Sequence, residues 1–235
     1  MCGRFTLATP SEAWAEIFGV DDVPDLPPRY NIAPSQEVAA VRLVPDGSGR
    51  ELAFLRWGLI PAWAPRADPG ARTINARAET IDRRPSYRDA FRERRCLVVA
   101  DGFYEWQPAG RRKKPYYVRL RDGSPFAFAG LWERWWGPAG SALDSCTIVT
   151  TRANDLLRPL HDRMPVILTP EQGAGWLDRE GRPKELKALL RPVPDDALVF
   201  YPVGTQVNRT EFDAPECIAP LQEPRLPSQF RLDLP

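Results

Sequence analysis

Cys2, the second residue of the chain, has the most distinctive chemistry in the sequence and lies in the run Met1-Cys2-Gly3-Arg4. Removal of Met1 leaves Cys2 with a free α-amine beside its thiol. Because an α-amine has a pKa of about 7.7 to 8.0, roughly one molecule in ten carries a neutral, nucleophilic amine at pH 7. With an aldehyde, this amine forms an imine, and the thiol then closes onto the same carbon as a thiazolidine. The plain alternative is an initiator methionine followed by an arbitrary cysteine.

Asn75 belongs to a stretch of alternating residues, 73–80, that predicts a strand. Side chains two positions apart share a face of a strand, so Asn75, Arg77 and Glu79 are expected on one face. There Asn75 is able to hydrogen-bond a substrate. The alternative for this stretch is an ordinary solvated strand face.

Two further side chains are suited to proton transfer. Glu105 is flanked by aromatic residues in Asp101-Gly102-Phe103-Tyr104-Glu105-Trp106, directly after an apolar strand. We therefore expect burial to raise its pKa and make it a proton donor near neutral pH. His161 is the only histidine, and its ordinary pKa also suits proton transfer near pH 7. The alternatives are a solvated glutamate and a structural histidine.

Length and composition indicate a globular protein with one domain over residues 1–219 and a proline-rich tail over 220–235. The 235 residues, 43% of them hydrophobic, are enough for a packed core. We expect a cytoplasmic protein without membrane contact, because the sequence has neither a signal-peptide pattern nor an apolar run long enough to span a bilayer. The cysteines are far apart and only one histidine is present, so no metal site, disulfide or cofactor is expected. These cysteines are Cys2, Cys96, Cys146 and Cys217.

The pattern of apolar residues predicts more strands than helices, and the strands are mostly joined by short turns. The predicted strands are 36–44, 51–57, 96–100, 116–120, 126–131, 146–151 and 198–203, the first two joined as a hairpin through 45–49. Short helices are predicted at 86–94, 153–157, 170–177 and 184–190, together with one that begins at a capping box over 9–12 and ends at Gly19. This arrangement favours the α+β class, with an antiparallel, barrel-like β core and short flanking helices.

Eight motifs follow one another over about 200 residues. They are Met1-Cys2-Gly3-Arg4-Phe5, Tyr30-Asn31-Ile32-Ala33-Pro34, Arg56-Trp57-Gly58-Leu59-Ile60-Pro61, Ile74-Asn75-Ala76-Arg77-Ala78-Glu79-Thr80, Asp101-Gly102-Phe103-Tyr104-Glu105-Trp106, Phe128-Ala129-Gly130-Leu131-Trp132-Glu133, His161-Asp162-Arg163-Met164-Pro165 and Tyr201-Pro202-Val203. Together these motifs resemble one family, the SOS response-associated peptidase (SRAP) family, whose members include abasic-site processing proteins that crosslink themselves to DNA.

The resemblance implies that Cys2 is the nucleophile and that Asn75, Glu105 and His161 complete the active site. It also implies a compact domain with a basic groove for single-stranded DNA. Trp57, Trp63 and Trp106 lie in motifs rich in arginine, and they either stack on bases or fill the core. The expected DNA-binding residues are the three arginines nearest the catalytic positions and one tryptophan, namely Arg4, Arg77, Arg163 and Trp106.

The predicted function is an abasic-site sensor that crosslinks Cys2 to the sugar aldehyde in single-stranded DNA, with weak strand cleavage and removal of Met1 or an associated peptidase activity. We expect a monomer that joins the nucleoid when it is bound to DNA. One alternative is an N-terminal nucleophile amidohydrolase or peptidase that acts on a small amide or peptide through the same Cys2. Another is a DNA-binding module whose only catalysis is cleavage of its own N-terminal peptide.

Overall fold

The computed structural model describes residues 2–44, 49–67, 73–110, 112–138 and 140–221. Within these ranges the chain forms β-strands and short helices. The strands are β1 (Phe5–Leu7), β2 (Arg29–Ile32), β3 (Glu37–Leu43), β4 (Arg50–Trp57), β5 (Asn75–Arg77), β6 (Arg95–Ala100), β7 (Gly102–Ala109), β8 (Arg112–Leu120), β9 (Phe126–Trp136), β10 (Ala142–Arg152), β11 (Arg163–Pro165), β12 (Ile167–Leu168) and β13 (Leu198–Pro202). The α-helices are α1 (Ser11–Phe18), α2 (Arg88–Glu93), α3 (Pro170–Leu177) and α4 (Pro183–Leu189), and 3-10 turns cover Asp195–Ala197, Thr205–Asn208 and Pro215–Ile218.

A closed barrel of five strands forms the centre of the molecule. Strands β4, β3, β6, β9 and β10 are neighbours in that order, and β10 then returns to pair with β4. The closing pair is parallel, with Ser145 opposite Arg56 and Cys146 opposite Trp57, whereas the other pairs are antiparallel. Closure removes the free edges that an open sheet of these strands would have. The predicted α+β class and barrel-like core are therefore confirmed.

A second, antiparallel sheet packs against the barrel in the order β13, β8, β7, β1 and β2. Phe5 of β1 joins the two layers, because its ring lies 5.2 Å from that of Trp57 and 5.7 Å from that of Phe128. Phe103 of β7 also meets Phe128, at 6.0 Å between ring centroids. The residues that begin the chain are thus part of the main core, so β1 has a fixed place beside β7.

Asp101 fixes the end of β1. Its carboxylate accepts hydrogen bonds from the hydroxyl of Thr6, from the backbone N–H of Ala8 at 2.6 Å, and from the backbone N–H and hydroxyl of Thr9 at 2.8 and 3.0 Å. Hydrogen bonds to a charged acceptor are the stronger kind. The capping box predicted over 9–12 is wrong for this reason: the Thr9 hydroxyl donates to Asp101, and α1 starts without a side-chain cap. The predicted end at Gly19 is confirmed, with a left-handed φ of 61°.

The predicted helix at 153–157 is also wrong, since hydrogen-bonded turns take its place. Asn154 Oδ1 accepts the backbone N–H of Leu157 at 3.0 Å, which gives the backbone a partner other than a helical carbonyl. Pro159 follows and has no N–H to donate to a helix. The other predicted helices are present within a few residues, and α3 matches 170–177 with a true capping box between Thr169 and Gln172.

Two further sequence predictions fall partly outside the described residues. Strands β3 and β4 pair in antiparallel register up to Leu43 opposite Arg50, but residues 45–48 of the predicted hairpin turn lie outside the description. In the predicted tail, Pro220 bridges to Val203 and the Leu221 N–H donates to the Pro202 carbonyl at 2.9 Å. Residues 222–235 again lie outside the description.

Among the described helices, none combines the length and the apolar character that a membrane crossing requires.

Gly102, at the start of β7, is predicted to be intolerant of any side chain. A Cβ at this position would lie 2.1 Å from Tyr117 Oη, and that hydroxyl is itself held 2.9 Å from Thr6 Oγ1. Overpacking of this kind should lower the free energy of unfolding of Gly102→Ala by about 1–3 kcal/mol, measured by urea denaturation. Gly49→Ala is the matched control, because nothing lies within 4 Å of a Cβ there. Equal stabilities for the two variants would contradict the close packing of β7 on β8.

Candidate active site and nucleic-acid interface

The beginning of the chain is held beside β7 by strand pairing. Phe5 lies opposite Phe103, and the Arg4 carbonyl accepts the Tyr104 N–H at 3.0 Å. The residues before β1 thus continue alongside β7, and the charge of Glu105 acts on the Cys2 thiol. A second contact holds the same segment, since Asn75 Nδ2 donates to the Cys2 carbonyl at 2.8 Å.

Asn75 is presented by β5, which is only three residues long and runs parallel to β10. The Tyr87 hydroxyl donates to the Asn75 carbonyl at 3.3 Å and supports the strand from one side. The side-chain oxygen Oδ1 of Asn75 is buried and has no hydrogen-bond partner among the described residues. A buried acceptor without a partner is costly. It is therefore available to a donor such as the freed Cys2 amine or a substrate hydroxyl.

The predicted common face is confirmed for Asn75 and Arg77, which lie two positions apart in β5, but it is wrong for Glu79. Strand β5 ends at Arg77, and Glu79 lies in the turn that follows it. In that turn the carboxylate of Glu79 makes a two-pronged pair with the Arg163 guanidinium, with contacts of 2.6 and 3.0 Å. A partner distant in sequence therefore holds the turn that follows the strand.

The Cys2 thiol has no exposed surface. Burial raises its pKa, the nearby charge of Glu105 raises it further, and the positive amino terminus acts in the opposite direction. The thiol therefore holds its proton at neutral pH. Any reaction through its sulfur needs a base within the site to accept that proton.

Glu105 has an environment suited to that task. Only 3% of the residue is exposed, and burial raises the pKa of its carboxyl to about 7, although the positive amino terminus pulls it down. The burial and the raised pKa expected from the sequence are confirmed. Near neutral pH the protonated and ionised forms are both populated, so the same carboxyl can give a proton in one step and take one in another.

His161 lies between β10 and β11, where its ring is held from one side. The backbone N–H of Arg163 donates to His161 Nδ1 at 3.0 Å, so the neutral ring carries its proton on Nε2. Asp162 Oδ1 is 2.8 Å from the same nitrogen, but it attracts only a protonated ring, and solvent screens its exposed carboxylate. Burial, followed by the positive amino terminus, lowers the pKa of His161. The neutral, Nε2–H form therefore predominates at neutral pH.

A cleft of about 710 Å³ opens above these groups. Glu105 and His161 both line the cleft. Cys2 lies close enough to Glu105 for the carboxylate charge to raise the pKa of the Cys2 thiol. The residues that line the cleft are Arg4, Glu105, Trp106, Lys113, His161, Thr205 and Asn208. The structure thus unites the four residues that the sequence singled out as catalytic, with Asn75 and Cys2 joined to each other beneath the cleft.

Asn31 holds one wall of this cleft, and the sequence-based reasoning did not recognise it as a functional residue. It is fully buried, and its Nδ2 donates to the carbonyls of Val207, Arg209 and Phe212 at 3.2, 2.8 and 2.7 Å. Its Oδ1 accepts from Arg4 Nη1 at 2.7 Å. Asn31 therefore ties the loop after β13 to the first residues of the chain. A signal was present, because a polar residue stands between apolar positions in Tyr30-Asn31-Ile32.

Two of the predicted DNA-binding residues line the cleft and are also bonded within the protein. Arg4 Nη1 donates to the Val207 carbonyl at 2.8 Å, in addition to Asn31. Trp106 Nε1 donates to Asn208 Oδ1 at 2.8 Å, which orients the indole along the wall. Of the other tryptophans considered for stacking, Trp57 is fully buried in the core and Trp63 is 65% exposed.

The other two predicted DNA-binding residues lie in an adjacent basin of about 380 Å³. The basin is lined by Arg77, Arg152, Ala153, Arg158, Asp162 and Arg163. Arg77 is exposed, and its guanidinium has no hydrogen bond or ion pair with any described residue. Arg163 is buried, because its guanidinium is occupied by Glu79 and by the Thr150 carbonyl at 2.6 Å. The segment 161–163 separates this basin from the cleft, with His161 on one side and Arg163 on the other.

Comparison with known proteins shows the family to which the chain belongs. A family model described as "SOS response associated peptidase (SRAP)" matches residues 1–210. The chain is 43% identical over 225 residues to abasic site processing protein YoqW of Bacillus subtilis (strain 168), covering 93% of this chain and 99% of that protein. It is 35% identical over 198 residues to abasic site processing protein HMCES of Xenopus tropicalis, covering 74% of this chain and 58% of that protein. A solved structure from Bacteroides thetaiotaomicron superposes with a TM-score of 0.84 at 25% identity, covering 94% of this chain and all of the other.

The raised pKa of Glu105 predicts a specific pH dependence of stability. Because the folded state favours the protonated carboxyl, the stabilisation is complete below the ordinary pKa near 4.5 and is lost as the pH rises through about 7. Each pKa unit corresponds to about 1.4 kcal/mol, so the free energy of unfolding should fall by about 3 kcal/mol across this window relative to Glu105→Gln, which does not titrate. Urea unfolding of both proteins at several pH values measures the difference. A difference that does not change with pH would refute the raised pKa.

Proposed function

Because the chain belongs to the SOS response associated peptidase family, we propose that it processes abasic sites by crosslinking Cys2 to the sugar aldehyde of abasic single-stranded DNA. One observation carries the proposal: the Asn75–Cys2 hydrogen bond holds the beginning of the chain beside a buried carboxyl whose pKa is about 7. Removal of Met1 converts the Cys2 nitrogen into a free amine at this point. An amine, a thiol and a group able to give and take protons are what thiazolidine formation requires.

The proposed reaction begins with the amine. The Cys2 nitrogen attacks the aldehyde carbon of the ring-opened deoxyribose, and loss of one water molecule gives an imine. The thiol then adds across the C=N bond: sulfur bonds to carbon, and the thiol proton ends on nitrogen. No oxidant or cofactor is consumed, since the net change is condensation of an aldehyde with an aminothiol and release of water.

Glu105 and His161 divide the proton transfers in this scheme. The protonated Glu105 carboxyl donates to the departing hydroxyl, and the resulting carboxylate accepts the proton of the buried Cys2 thiol, whose raised pKa makes a base necessary. The Nε2–H of neutral His161 donates to the sugar ring oxygen during ring opening. Asn75 Oδ1 accepts from the Cys2 amine and aims its lone pair.

The DNA strand is proposed to cross the cleft and the adjacent arginine basin. Exposed Arg77 has the most direct support as a phosphate-binding residue, because its guanidinium is not engaged by the described part of the chain. Arg4 and Arg163 contribute positive charge at positions that their internal bonds hold in place. Trp106 offers a stacking surface, which is tolerant of base sequence. This arrangement supports binding of a flexible single strand with little sequence preference.

Two side activities and a cellular setting follow from the proposal. If the imine persists, removal of a proton from the sugar C2′ cleaves the strand, so weak lyase activity accompanies crosslinking. Release of Met1, or of a short N-terminal peptide, is the proposed peptidase activity. The protein is proposed to act as a monomer in the cytoplasm, where it reaches the nucleoid. The amidohydrolase alternative has less support, because Asn75 Nδ2 is bonded to the Cys2 carbonyl and is not free to stabilise an oxyanion.

Cys2→Ala should abolish the heat-stable adduct with abasic single-stranded DNA, because it removes the thiol. Non-covalent DNA binding should persist, since Cys2 is buried and contributes no phosphate contact. Cys2→Ser is the matched variant, as it keeps the amine and offers only a poorer ring-closing nucleophile. Denaturing gels measure the adduct, and fluorescence anisotropy measures binding. Wild-type yields of heat-stable adduct from either variant would rule out the thiazolidine.

His161→Ala and Glu105→Gln should each slow crosslinking in single-turnover kinetics by about 10 to 10⁴-fold, the range of general acid–base effects. The final yield should change less than the rate, because proton donors accelerate formation and reversal alike. Strand cleavage should also fall in at least one variant, since it requires a base. Time courses that overlay wild type in both folded variants would leave Cys2 as the only residue with a chemical role.

A further inference from the structure

We propose that Lys113, which lies on the wall of the cleft above Glu105 and His161, binds a phosphate of the DNA backbone next to the abasic sugar. This inference rests on the proposed function and adds a residue that the sequence-based prediction of DNA contacts did not include. It is carried by three observations: the position of Lys113 on β8, the absence of a partner for its ammonium group among the described residues, and its charge effect on His161.

The position of Lys113 follows from the hairpin formed by β7 and β8. In their antiparallel pairing Lys113 lies opposite Pro108, and Lys114 lies opposite Gln107. Lys113 is one of the residues that line the cleft. Lys114 is not among them, and its ammonium lies over the Tyr116 ring, 5.4 Å from the centroid.

The ammonium group of Lys113 is uncommitted. Lys113 is exposed and forms no hydrogen bond or ion pair with any residue that the structure describes. The other cation of the cleft, Arg4, already donates to Asn31 and Val207. A lysine ammonium is a compact charge on a flexible stem, which suits a single phosphate oxygen. Lys113 is thus the cation on this wall that is free to meet an anion.

The charge of Lys113 acts inside the site. After burial and the positive amino terminus, it is one of the cations that lower the pKa of His161. This agrees with the place of both residues in the lining of the same cleft. A phosphodiester bound to Lys113 would pass beside His161, and so its sugar would be held over the groups that act on the aldehyde.

The relative placement of Lys113 and His161 is braced by Gln107. Gln107 Nε2 donates to the Pro159 carbonyl at 3.3 Å, and its Oε1 accepts from the Tyr116 hydroxyl at 3.2 Å. The amide therefore joins both strands of the hairpin to the segment that ends at His161. Because of this brace, a phosphate on Lys113 has a defined position relative to the imidazole.

The test compares Lys113→Ala with Lys114→Ala, which removes the same charge from the next residue, one that does not line the cleft and whose ammonium lies over the Tyr116 ring. Affinity for an undamaged, fluorescein-labelled single-stranded oligonucleotide is measured over a range of NaCl concentrations. Lys113→Ala should reduce the slope of log K against log salt by about 0.7, the value for one phosphate contact on a single strand. Lys114→Ala should reduce it by less than half as much, and Lys113→Arg should restore the wild-type slope. Equal slopes for the two alanine variants would overturn the assignment.

A second measurement uses an abasic oligonucleotide under single-turnover conditions. Lys113→Ala should raise the DNA concentration for half-maximal crosslinking more than it lowers the limiting rate, whereas loss of a proton-transfer residue lowers the limiting rate. An effect on the limiting rate alone would contradict a phosphate-binding role. Failure of the proposed function is distinguishable from failure of the Lys113 assignment. A wild-type protein that forms no adduct disproves crosslinking. The salt slopes with undamaged DNA still decide whether Lys113 binds a phosphate.

Discussion

The hydrogen bond from Asn75 Nδ2 to the Cys2 carbonyl is the contact on which the rest of the site depends. Chain termini are ordinarily among the least ordered parts of a domain, unless tertiary contacts tie them down. Here the terminus is also the proposed reactive group, so its position must be set by residues distant in sequence. Asn75 holds Cys2, pairing with β7 holds Arg4, and the packing of Phe5 on Trp57 anchors the strand. The barrel supports Asn75 through β10 and thereby gives a chain end the rigidity of a core residue.

Burial controls the protonation of the groups around this anchor. It raises the pKa of the Cys2 thiol and of the Glu105 carboxyl, and it lowers that of His161. In each case the low-dielectric surroundings favour the neutral form. The reacting centre is therefore kept largely uncharged, while the cations Lys113 and Arg77 lie at its exposed margins. Such a division allows proton transfer at the centre and attraction of a polyanion at the rim, and it agrees with an overall net charge near zero.

Much of this organisation was predictable from the sequence, because it depends on local patterns. Alternating apolar residues indicate the strands, and aromatic neighbours of Glu105 indicate its burial. Features that depend on distant partners were not predictable in this way. The parallel pairing of β4 with β10 closes the barrel between segments that are far apart in the chain. The Glu79–Arg163 ion pair holds the turn that follows β5, and the Asn154 side chain accepts the Leu157 N–H in the turn found where a helix was predicted. Asn31 and Lys113 escaped notice for a similar reason, since their importance comes from the loop and the cleft that they face.

The most direct test of the account is the chemical structure of the adduct at its attachment point. Wild-type protein is reacted with abasic single-stranded DNA, digested with a protease and a nuclease, and the N-terminal peptide is analysed by tandem mass spectrometry. The account predicts a peptide that begins at Cys2 and carries one sugar remnant, attached with loss of one water molecule. Neither its amine nor its thiol should react with labelling reagents under non-reversing conditions. An adduct on another residue, a crosslinked peptide that retains Met1, or a crosslinked Cys2 whose thiol is still free would contradict it.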